Sequence, residues 1–427
     1  MNDTPSSTVV LGAGLAACGF ARRFRDCTLF EAAPEPGGYA RSHLFAGTWF
    51  DQGAHICHAR DPEWLALVLG RVPVHELAKS TVLNHKNGRW FAYPVQNHLA
   101  DLPPAECRLA LEGFLEAQRL HAGKTPANYE EWCRFQYGDY LLENFYRLYT
   151  AKYWHTPMDR MAVDWLGGRL LPSQIENILA GAKGACDERQ AVFTTFRYPE
   201  TGGFFALVSH LFDGLDIRLR KQAVRVSLRD RAVAFSDGST VPYSTLVSTI
   251  PLPALVSILD GPVPDDVRAA AARLRHVSHV CVNFVVDRPS LSPANWFYVY
   301  DPDVPVSRVS FPNSLSGAAS STTPVQAEVF LPMDAVPDLE SVRDRALSDL
   351  SRILSFSLSD VLAAEAVPAP VSYVVSDLDR APAVAAIRTW LQTQRIETAG
   401  LFGAWSYVWS LRAYSDGAAL ASRLSPA

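Results

Sequence analysis

The chain has 427 residues, a formal net charge of -5 and 19% charged residues, and it contains no long basic block. This length exceeds one ordinary core, so two or three domains are expected, and the charge pattern argues against nucleic acid as a main partner. Hydrophobic residues make up 48% of the chain, which argues against overall disorder.

The cysteines and the N-terminus favour a cytoplasmic protein. Seven cysteines are scattered along the chain without a CxxC pair, and they are Cys18, Cys27, Cys57, Cys107, Cys133, Cys186 and Cys281. This pattern favours reduced thiols over a disulfide framework or a metal site. No basic segment precedes an apolar core at the N-terminus, and the apolar run at residues 9–19 is too short to span a bilayer. We therefore expect no membrane segment and no metal, and the oligomeric state has no signal in the sequence.

The first part of the chain predicts a βαβ unit followed by helices. Residues 8–12 are a short apolar run typical of a buried parallel strand, residues 14–25 predict a helix, and residues 27–31 predict the next strand. From about 60 to 195 the sequence predicts mainly helices, at residues 63–69, 104–120, 129–149 and 162–182.

The second part of the chain is richer in predicted strands. Residues 216–250 alternate apolar and polar positions, which predicts a β-meander ending in a strand before Pro251. Residues 312–323 predict a loop. Further strands are predicted at 277–287, 295–300, 306–311 and 324–330, and helices at 337–363 and 382–392.

A glycine-rich turn joins the first predicted strand to the first helix. It reads Gly12-Ala13-Gly14-Leu15-Ala16-Ala17. Gly12 permits a tight turn, Gly14 lets the backbone approach a pyrophosphate, and Ala17 lets helix and strand pack closely. Glu31 ends the second strand, where a carboxylate can accept ribose hydroxyls. The pattern predicts dinucleotide binding at the helix N-terminus, and the alternative is a tight turn with a surface glutamate.

A second glycine pair resembles a flavoprotein fingerprint. Residues 36–42 read Pro-Gly-Gly-Tyr-Ala-Arg-Ser and resemble the extended fingerprint of the flavin amine oxidase superfamily. The resemblance implies FAD rather than NAD as the cofactor. It also implies that Gly38 and Arg41 line the diphosphate and ribityl chain, and that Val226 contacts adenine through its backbone.

Several later segments resemble, in the same order, segments of bacterial UDP-galactopyranose mutases. The ordered set spans nearly the whole chain and is more specific than any one match. The segments are residues 51–58, 91–97, 149–154, 196–203, 304–308 and 326–328. In that family the reduced flavin attacks the anomeric carbon of a nucleotide-linked sugar, and the sugar ring contracts.

The mutase resemblance implies roles for individual side chains. It places His58 near the flavin, Arg308 on the diphosphate and Glu328 near the sugar. It also implies that Gln96, Tyr149, Trp154 and Tyr373 contact the substrate. Structural roles are the alternatives: aromatic core packing for Tyr149 and Trp154, a buried histidine for His58, a surface ion pair for Arg308 and a sheet-edge carboxylate for Glu328.

The C-terminal segment departs from the mutase pattern. Leu401 stands where the family has arginine, Ala404 where it has glutamate and Trp409 where it has aspartate, although glycines such as Gly403 survive as cofactor contacts. Loss of an arginine from a diphosphate site removes a charge-assisted bond of about 1.5–3 kcal/mol.

Other arginines are candidates for the missing charges. Arg41 or Arg412 could replace the arginine on the cofactor diphosphate. Arg169 and Arg197 are the candidates for the second substrate arginine, which is expected in the helical region.

The expected fold class is α/β, with a Rossmann-like FAD-binding parallel sheet and β-meander, a helical lobe and an antiparallel substrate sheet. The FAD-binding domain is predicted from residues 1–60, 205–255 and 396–427, the helical lobe from 61–204 and the antiparallel sheet from 256–395. Three functions stay open: an enzyme acting on a nucleotide-linked or glycosylated small-molecule substrate, an oxygen-using oxidase or desaturase, and a lapsed flavin- or nucleotide-binding protein.

Overall fold

The protein is described from a computed structural model, which covers residues 8–170, 172, 174–185 and 195–425. The strands are β1 Thr8–Leu11, β2 Cys27–Phe30, β3 Ser42–Phe45, β4 Thr48–Asp51, β5 Val74–Leu77, β6 Val82–Lys86, β7 Arg89–Ala92, β8 Phe196–Pro199, β9 Ile217–Arg218, β10 Ala223–Ser227, β11 Ala232–Phe235, β12 Thr240–Pro242, β13 Thr245–Ser248, β14 Leu259–Asp260, β15 His276–Val286, β16 Trp296–Val299, β17 Val306–Ser310, β18 Thr323–Pro332, β19 Val361–Val374 and β20 Ile396–Thr398.

The helices surround these strands. They are α1 Leu15–Arg23, α2 Pro62–Val68, α3 Pro104–His121, α4 Tyr129–Leu141, α5 Arg147–Trp154, α6 Ile175–Ala182, α7 Gly203–Val208, α8 Leu252–Ser257, α9 Asp265–Arg273, α10 Pro312–Ser316, α11 Leu339–Leu354, α12 Arg380–Thr393, α13 Gly400–Gly403 and α14 Ser410–Leu424. None of the helices in the covered ranges is both long enough and apolar enough to cross a membrane.

A five-stranded parallel sheet, in the order β20-β13-β1-β2-β9, forms the expected dinucleotide-binding layer. β1 lies at its centre with all four residues buried, which explains the uninterrupted apolar sequence. Helix α1 packs closely against α14 because each helix has a glycine at the contact, Gly19 in α1 and Gly417 in α14. A Cβ added to Gly417 would lie 1.8 Å from the Ala16 carbonyl oxygen.

A seven-stranded sheet covers the other side of the molecule. Its order is β19-β15-β18-β17-β16-β6-β7, and its strands are antiparallel except for the β16–β6 pair. Strand β15 is buried along nearly its whole length between β18 and β19. Strands β6 and β7 come from within the predicted helical lobe, and they extend this sheet.

The helices α3 to α6 form a lobe with an aromatic core. Its buried members include Phe114, Tyr137 and Phe145. Helices α3 and α4 approach closely at Gly138, which has a φ of +80° and kinks α4. A Cβ at Gly138 would lie 2.4 Å from the backbone of Gly113, so only glycine fits this crossing.

Several predicted elements were wrong in extent. Residues 162–170 form turns rather than the start of a helix, and only α6 remains of the helix predicted at 162–182. The helix predicted at 337–363 ends at Leu354, and β19 begins at Val361. Strand β9 pairs with β2 in the parallel sheet instead of joining the meander, which consists of β10 to β12. The predicted loop at 312–323 begins with α10.

Candidate active site

A single cavity of about 990 Å³ runs from the carboxyl edge of the parallel sheet to the space between the helical lobe and the seven-stranded sheet. This edge is where ligands bind in open α/β sheets. Most of the residues singled out in the sequence meet here. Those that line the cavity include Gly12, Gly14, Glu31, Gly38, His58, Gln96, Tyr149, Trp154, Arg308 and Tyr373.

The glycine turn after β1 forms the floor of one end of the cavity. Gly12 has a φ of +94°, and a Cβ there would lie 2.5 Å from the Thr249 hydroxyl oxygen. Gly14 is the N-cap of α1 and supplies no side-chain cap. The first N–H groups of the helix therefore have no partner inside the helix, and they present partial positive charge to a phosphate.

The second glycine pair closes over the first. The N–H of Gly37 donates to the carbonyl of Ala13 over 2.8 Å. Gly38 has a φ of +56°, and a Cβ there would lie 3.2 Å from the Cα of Gly14. The two backbones touch because neither carries a side chain, and together they form a narrow cradle that suits a diphosphate.

Glu31 follows β2 at the edge of this cradle. Its carboxylate accepts hydrogen bonds from the N–H groups of Ala13 (2.8 Å) and Ala33 (2.9 Å). These bonds fix the carboxylate beside the glycine turn. Each carboxylate oxygen has two lone pairs, so capacity remains for the hydroxyls of a ribose.

Four residues predicted to contact the cofactor do not line the cavity. Ala17 is fully buried in the core beside α14, the close-packing role that its position suggested. Arg41 donates its Nε–H to the Gly38 carbonyl over 3.1 Å. A Cβ at Gly403 would lie 2.4 Å from the Ser248 carbonyl oxygen, so this residue serves backbone packing.

Val226 is the clearest correction among these four. It is fully buried in the meander, and its N–H donates to the Ile258 carbonyl over 2.8 Å. That backbone donor is therefore already used, and Val226 is not among the residues that line the cavity.

The far end of the cavity is lined by tyrosine and tryptophan. Tyr149 stands edge-on to Tyr298, with ring centroids 5.5 Å apart. Tyr373 stands edge-on to Tyr407, and their centroids are 5.4 Å apart. Trp154 packs edge-on to Tyr407 over 5.5 Å. Such a wall offers ring faces for stacking and phenol groups for hydrogen bonds.

An ion pair lies among these rings. The Arg308 guanidinium donates to both carboxylate oxygens of Glu328, with distances of 2.7, 2.8 and 3.1 Å. Arg308 lines the cavity, whereas Glu328 is behind it and its side chain is 2% exposed. The Ala54 N–H also donates to Glu328 over 2.7 Å. Burial alone would raise the pKa of Glu328, but the combined effect of Arg308 and His279 in lowering it is larger. The pKa therefore lies below its usual value, and the carboxylate stays charged.

His58 and Gln96 both lie in the cavity wall. The His58 ring is edge-on to Trp409, with centroids 4.4 Å apart. Burial lowers the pKa of His58, which favours the neutral ring. The Gln96 side-chain oxygen accepts from the Tyr146 hydroxyl over 2.9 Å.

The structure separates the two candidates for the second arginine. Arg169 lines the cavity, and its guanidinium lies over the rings of Tyr407 and Trp409 at 4.0 and 4.6 Å. Its terminal nitrogens donate to the carbonyls of Trp165 and Tyr407 over 2.9 and 2.7 Å. Arg197 instead pairs with Glu76 outside the cavity over 2.7 Å.

The altered C-terminal segment also faces the cavity. Leu401 and Trp409 line it, and so does Arg412, whose side chain pairs with Asp416 over 2.7 Å. Of the two arginines considered as replacements on the cofactor side, only Arg412 reaches the cavity wall. Sequence reasoning missed Tyr153, Tyr298 and Tyr407 as lining residues, and their dense aromatic spacing was the available signal.

The chain belongs to the family of flavin containing amine oxidoreductases, whose model matches residues 14–420. It is therefore a flavoenzyme, and FAD is its cofactor. The glycine cradle, the free helix N-terminus and Glu31 fit this cofactor. When the two glycine turns and the carboxylate are taken together, they match the phosphates and ribose of a dinucleotide.

Several solved structures share the fold of this chain. A crystal structure of reduced UDP-galactopyranose mutase has a TM-score of 0.90 at 22% identity, and the match covers 98% of this chain and 94% of the mutase chain. A putative protoporphyrinogen oxidase from Exiguobacterium sp. 255-15 has a TM-score of 0.76 at 18% identity, covering 99% of each chain. A redesigned putrescine oxidase has a TM-score of 0.66 at 16% identity, covering 98% of this chain and 99% of that one.

Proposed function

We propose that this flavoenzyme acts on a nucleotide-linked sugar by a flavin-assisted rearrangement like that of a UDP-galactopyranose mutase. The observation that carries the proposal is that Arg169 and Arg308 line the same cavity as an aromatic wall, in which Tyr407 contacts Arg169 and the ring of Tyr373. A second phosphate-bearing ligand would find cations and ring faces there. The cofactor site and this second site share one continuous space.

Arg169 and Arg308 are suited to a diphosphate in different ways. Arg308 keeps its charge because Glu328 and the surrounding tyrosines raise its pKa well above the usual value, although burial opposes this. Its pairing with Glu328 leaves it less net charge for a ligand. Among the residues that the structure describes, the Arg169 guanidinium donates to carbonyl groups and not to a carboxylate, and its Nε–H is buried without a hydrogen-bond partner. Arg169 is therefore the stronger cation for a phosphate oxygen.

The aromatic residues complete the proposed binding site. Tyr149 and Trp154 on α5 offer rings for a base or sugar, and Tyr373 supplies a phenol beside Arg308. Burial raises the pKa of Tyr373 well above its usual value, so it acts as a neutral hydrogen-bond donor at physiological pH. When bound and reduced, FAD supplies the nucleophilic nitrogen for the sugar carbon. The protein holds the sugar and diphosphate in place and excludes water.

An oxidase reaction is the second candidate, and two observations favour it. The family carries the name amine oxidoreductase, and a putrescine oxidase shares the fold. Charges that a mutase would have near Leu401 and Trp409 are also missing. An enzyme of this kind would transfer hydride from a small substrate and reduce oxygen to peroxide.

One assay distinguishes these functions. Purified FAD-loaded protein is incubated with a panel of nucleotide sugars and small amines, once with dithionite under anaerobic conditions and once in air with an oxygen electrode. The proposal predicts conversion between isomers only with reduced flavin and no net oxygen use. Peroxide production with small amines would support the oxidase instead. The absence of conversion or binding across the panel would contradict the proposal.

A further inference from the structure

Lys152 lies on α5 beside the substrate end of the cavity, but it does not line the cavity. Its Nζ donates to the carbonyls of Val299 (2.8 Å), Asp301 (3.1 Å) and Val306 (2.7 Å). These carbonyls are the last residue of β16, a residue of the following turn and the first residue of β17. An ammonium has three N–H groups, so all three are used to hold the two ends of this hairpin together.

The hairpin contains an irregularity next to Lys152. The register between β17 and β18 shifts between Val306 and Arg308, which leaves Ser307 as an inserted residue. In a regular strand, residues 306 and 308 would point to the same face. Here Val306 packs in the core against α11, whereas Arg308 lines the cavity. The bulge therefore turns Arg308 toward the cavity, a use that β-bulges often have near active sites.

We propose that Lys152 is a positioning residue that holds the β16–β17 hairpin and its bulge, and so sets the direction of Arg308. The same ammonium joins two walls of the site. Helix α5 carries Tyr149 and Trp154, and the hairpin carries Tyr298 and Arg308. Three buried carbonyls would lose their donors without it, and the turn would be free to change register.

The charge on Lys152 suits this role. Burial lowers the pKa of Lys152 to about 7, whereas the carboxylates of Asp301, Asp303 and Asp349 raise it. Three carbonyl acceptors at 2.7–3.1 Å also favour the ammonium, since a neutral amine has one N–H fewer and a lone pair facing an acceptor. Experiments are therefore run at pH 6.5, on the acidic side of this pKa, where the ammonium predominates.

The first test is hydrogen exchange of FAD-loaded protein, which needs no substrate. Lys152→Met removes the three donors and keeps the length of the side chain. Lys86→Met is the matched control, because Lys86 lies on the adjacent strand β6 and places its ammonium 4.5 Å from the Phe145 ring. We expect amides in residues 299–308 to exchange at least tenfold faster in Lys152→Met and unchanged in Lys86→Met. The glycine turn at residues 12–17 should be unaffected in both.

The second test links Lys152 to Arg308. Melting temperatures are compared for Lys152→Met, Arg308→Met and the double variant. If Lys152 orients Arg308, the ion pair with Glu328 is already weakened in Lys152→Met, so the double variant melts higher than the sum of the two shifts predicts. Additive shifts together with an unchanged hairpin exchange rate would overturn the proposal. If Lys152→Met does not fold, Lys152→Gln, which keeps two N–H groups, is used in the same comparison and judged by the same two outcomes.

These outcomes do not depend on the identity of the substrate. A protein that binds no nucleotide sugar would contradict the proposed function, yet it could still show the hairpin loosening in Lys152→Met. A protein that converts nucleotide sugars could equally show no loosening. The two proposals can therefore fail separately.

Discussion

Arg308 on β17 and Glu328 on β18 stand directly opposite each other in the sheet and form three hydrogen bonds of 2.7–3.1 Å. The pair is largely buried, and the guanidinium still reaches the cavity. The sequence left a surface ion pair and a diphosphate-binding charge as alternatives for Arg308. The ion pair exists but is buried rather than on the surface, and diphosphate binding by Arg308 remains a proposal.

Removing Glu328 should destabilise the protein. Glu328→Gln leaves the Arg308 charge buried without its partner, a change that costs about 3–5 kcal/mol when one side of a buried pair is lost. The free energy of unfolding is measured by urea denaturation at pH 7. A loss below about 1 kcal/mol, as is usual for exposed ion pairs, would show that the pair is solvated.

The pH dependence of the same comparison tests the lowered pKa of Glu328. A carboxylate whose folded pKa lies below its unfolded value of about 4.3 stabilises the fold above that value, and the stabilisation is lost as pH falls through the folded pKa. The difference in unfolding free energy between wild type and Glu328→Gln should therefore shrink between pH 5 and pH 2. A difference that stays constant over this interval would contradict the lowered pKa.

Glu31 should be needed for tight FAD binding. Glu31→Gln keeps the shape but removes a charge-assisted bond to the ribose worth about 1.5–3 kcal/mol, so FAD affinity should fall about 10- to 150-fold. Glu35→Gln is the control, since Glu35 is exposed nearby and does not line the cavity. FAD content after dialysis is read from the flavin absorbance. Equal FAD retention in both variants would show that Glu31 does not contribute to FAD binding.

Gly38 should tolerate no side chain. Gly38→Ala places a Cβ 3.2 Å from the Cα of Gly14 at a φ of +56°, so the cradle must open and FAD should be lost. Gly47→Ala is the matched control, because Gly47 also has a positive φ (+80°) but nothing within 4 Å of the added Cβ. We expect Gly38→Ala to purify colourless and Gly47→Ala to keep its flavin. Full flavin in Gly38→Ala would show that the cradle is not where the diphosphate binds.

Arg169 should contribute to nucleotide binding, and Arg197 should not. Arg169→Met removes a charged donor in the cavity, and UDP affinity should fall about 10- to 150-fold, the factor that corresponds to a charge-assisted bond. Arg197→Met removes an arginine that pairs with Glu76 outside the cavity. Titration calorimetry on both FAD-loaded variants gives the dissociation constants. Equal UDP affinities in the two variants would show that Arg169 does not contribute to nucleotide binding.

The parts of this site that local sequence determines were predictable. The turn after β1 needs Gly12 at positive φ, and a short apolar run before it reads as a buried strand, so the cradle follows from about thirty residues. His58, Tyr149 and Arg308 line the cavity as predicted. The prediction was possible because each lies in a segment that resembles a segment of a known flavoenzyme, in the same order along the chain.

The parts that depend on pairing between distant strands were not predictable. The N–H of Val226 is used by Ile258, a contact that no local pattern specifies. Residues 361–363 were predicted as the end of a helix over 337–363, yet they begin β19, which pairs with β15. The sequence could not decide which of Arg169 and Arg197 lines the cavity. A turn places Arg169 over the ring of Tyr407, whereas the sequence predicted a helix there.

The most direct test of the central claim is titration calorimetry of UDP into FAD-loaded, dithionite-reduced protein. The account predicts one saturable site per chain, with affinity lost when either Arg169 or Arg308 is changed to methionine and retained in Arg197→Met. The absence of saturable UDP binding to folded, FAD-loaded protein would contradict the claim that the arginine and aromatic end of the cavity holds a nucleotide-linked substrate.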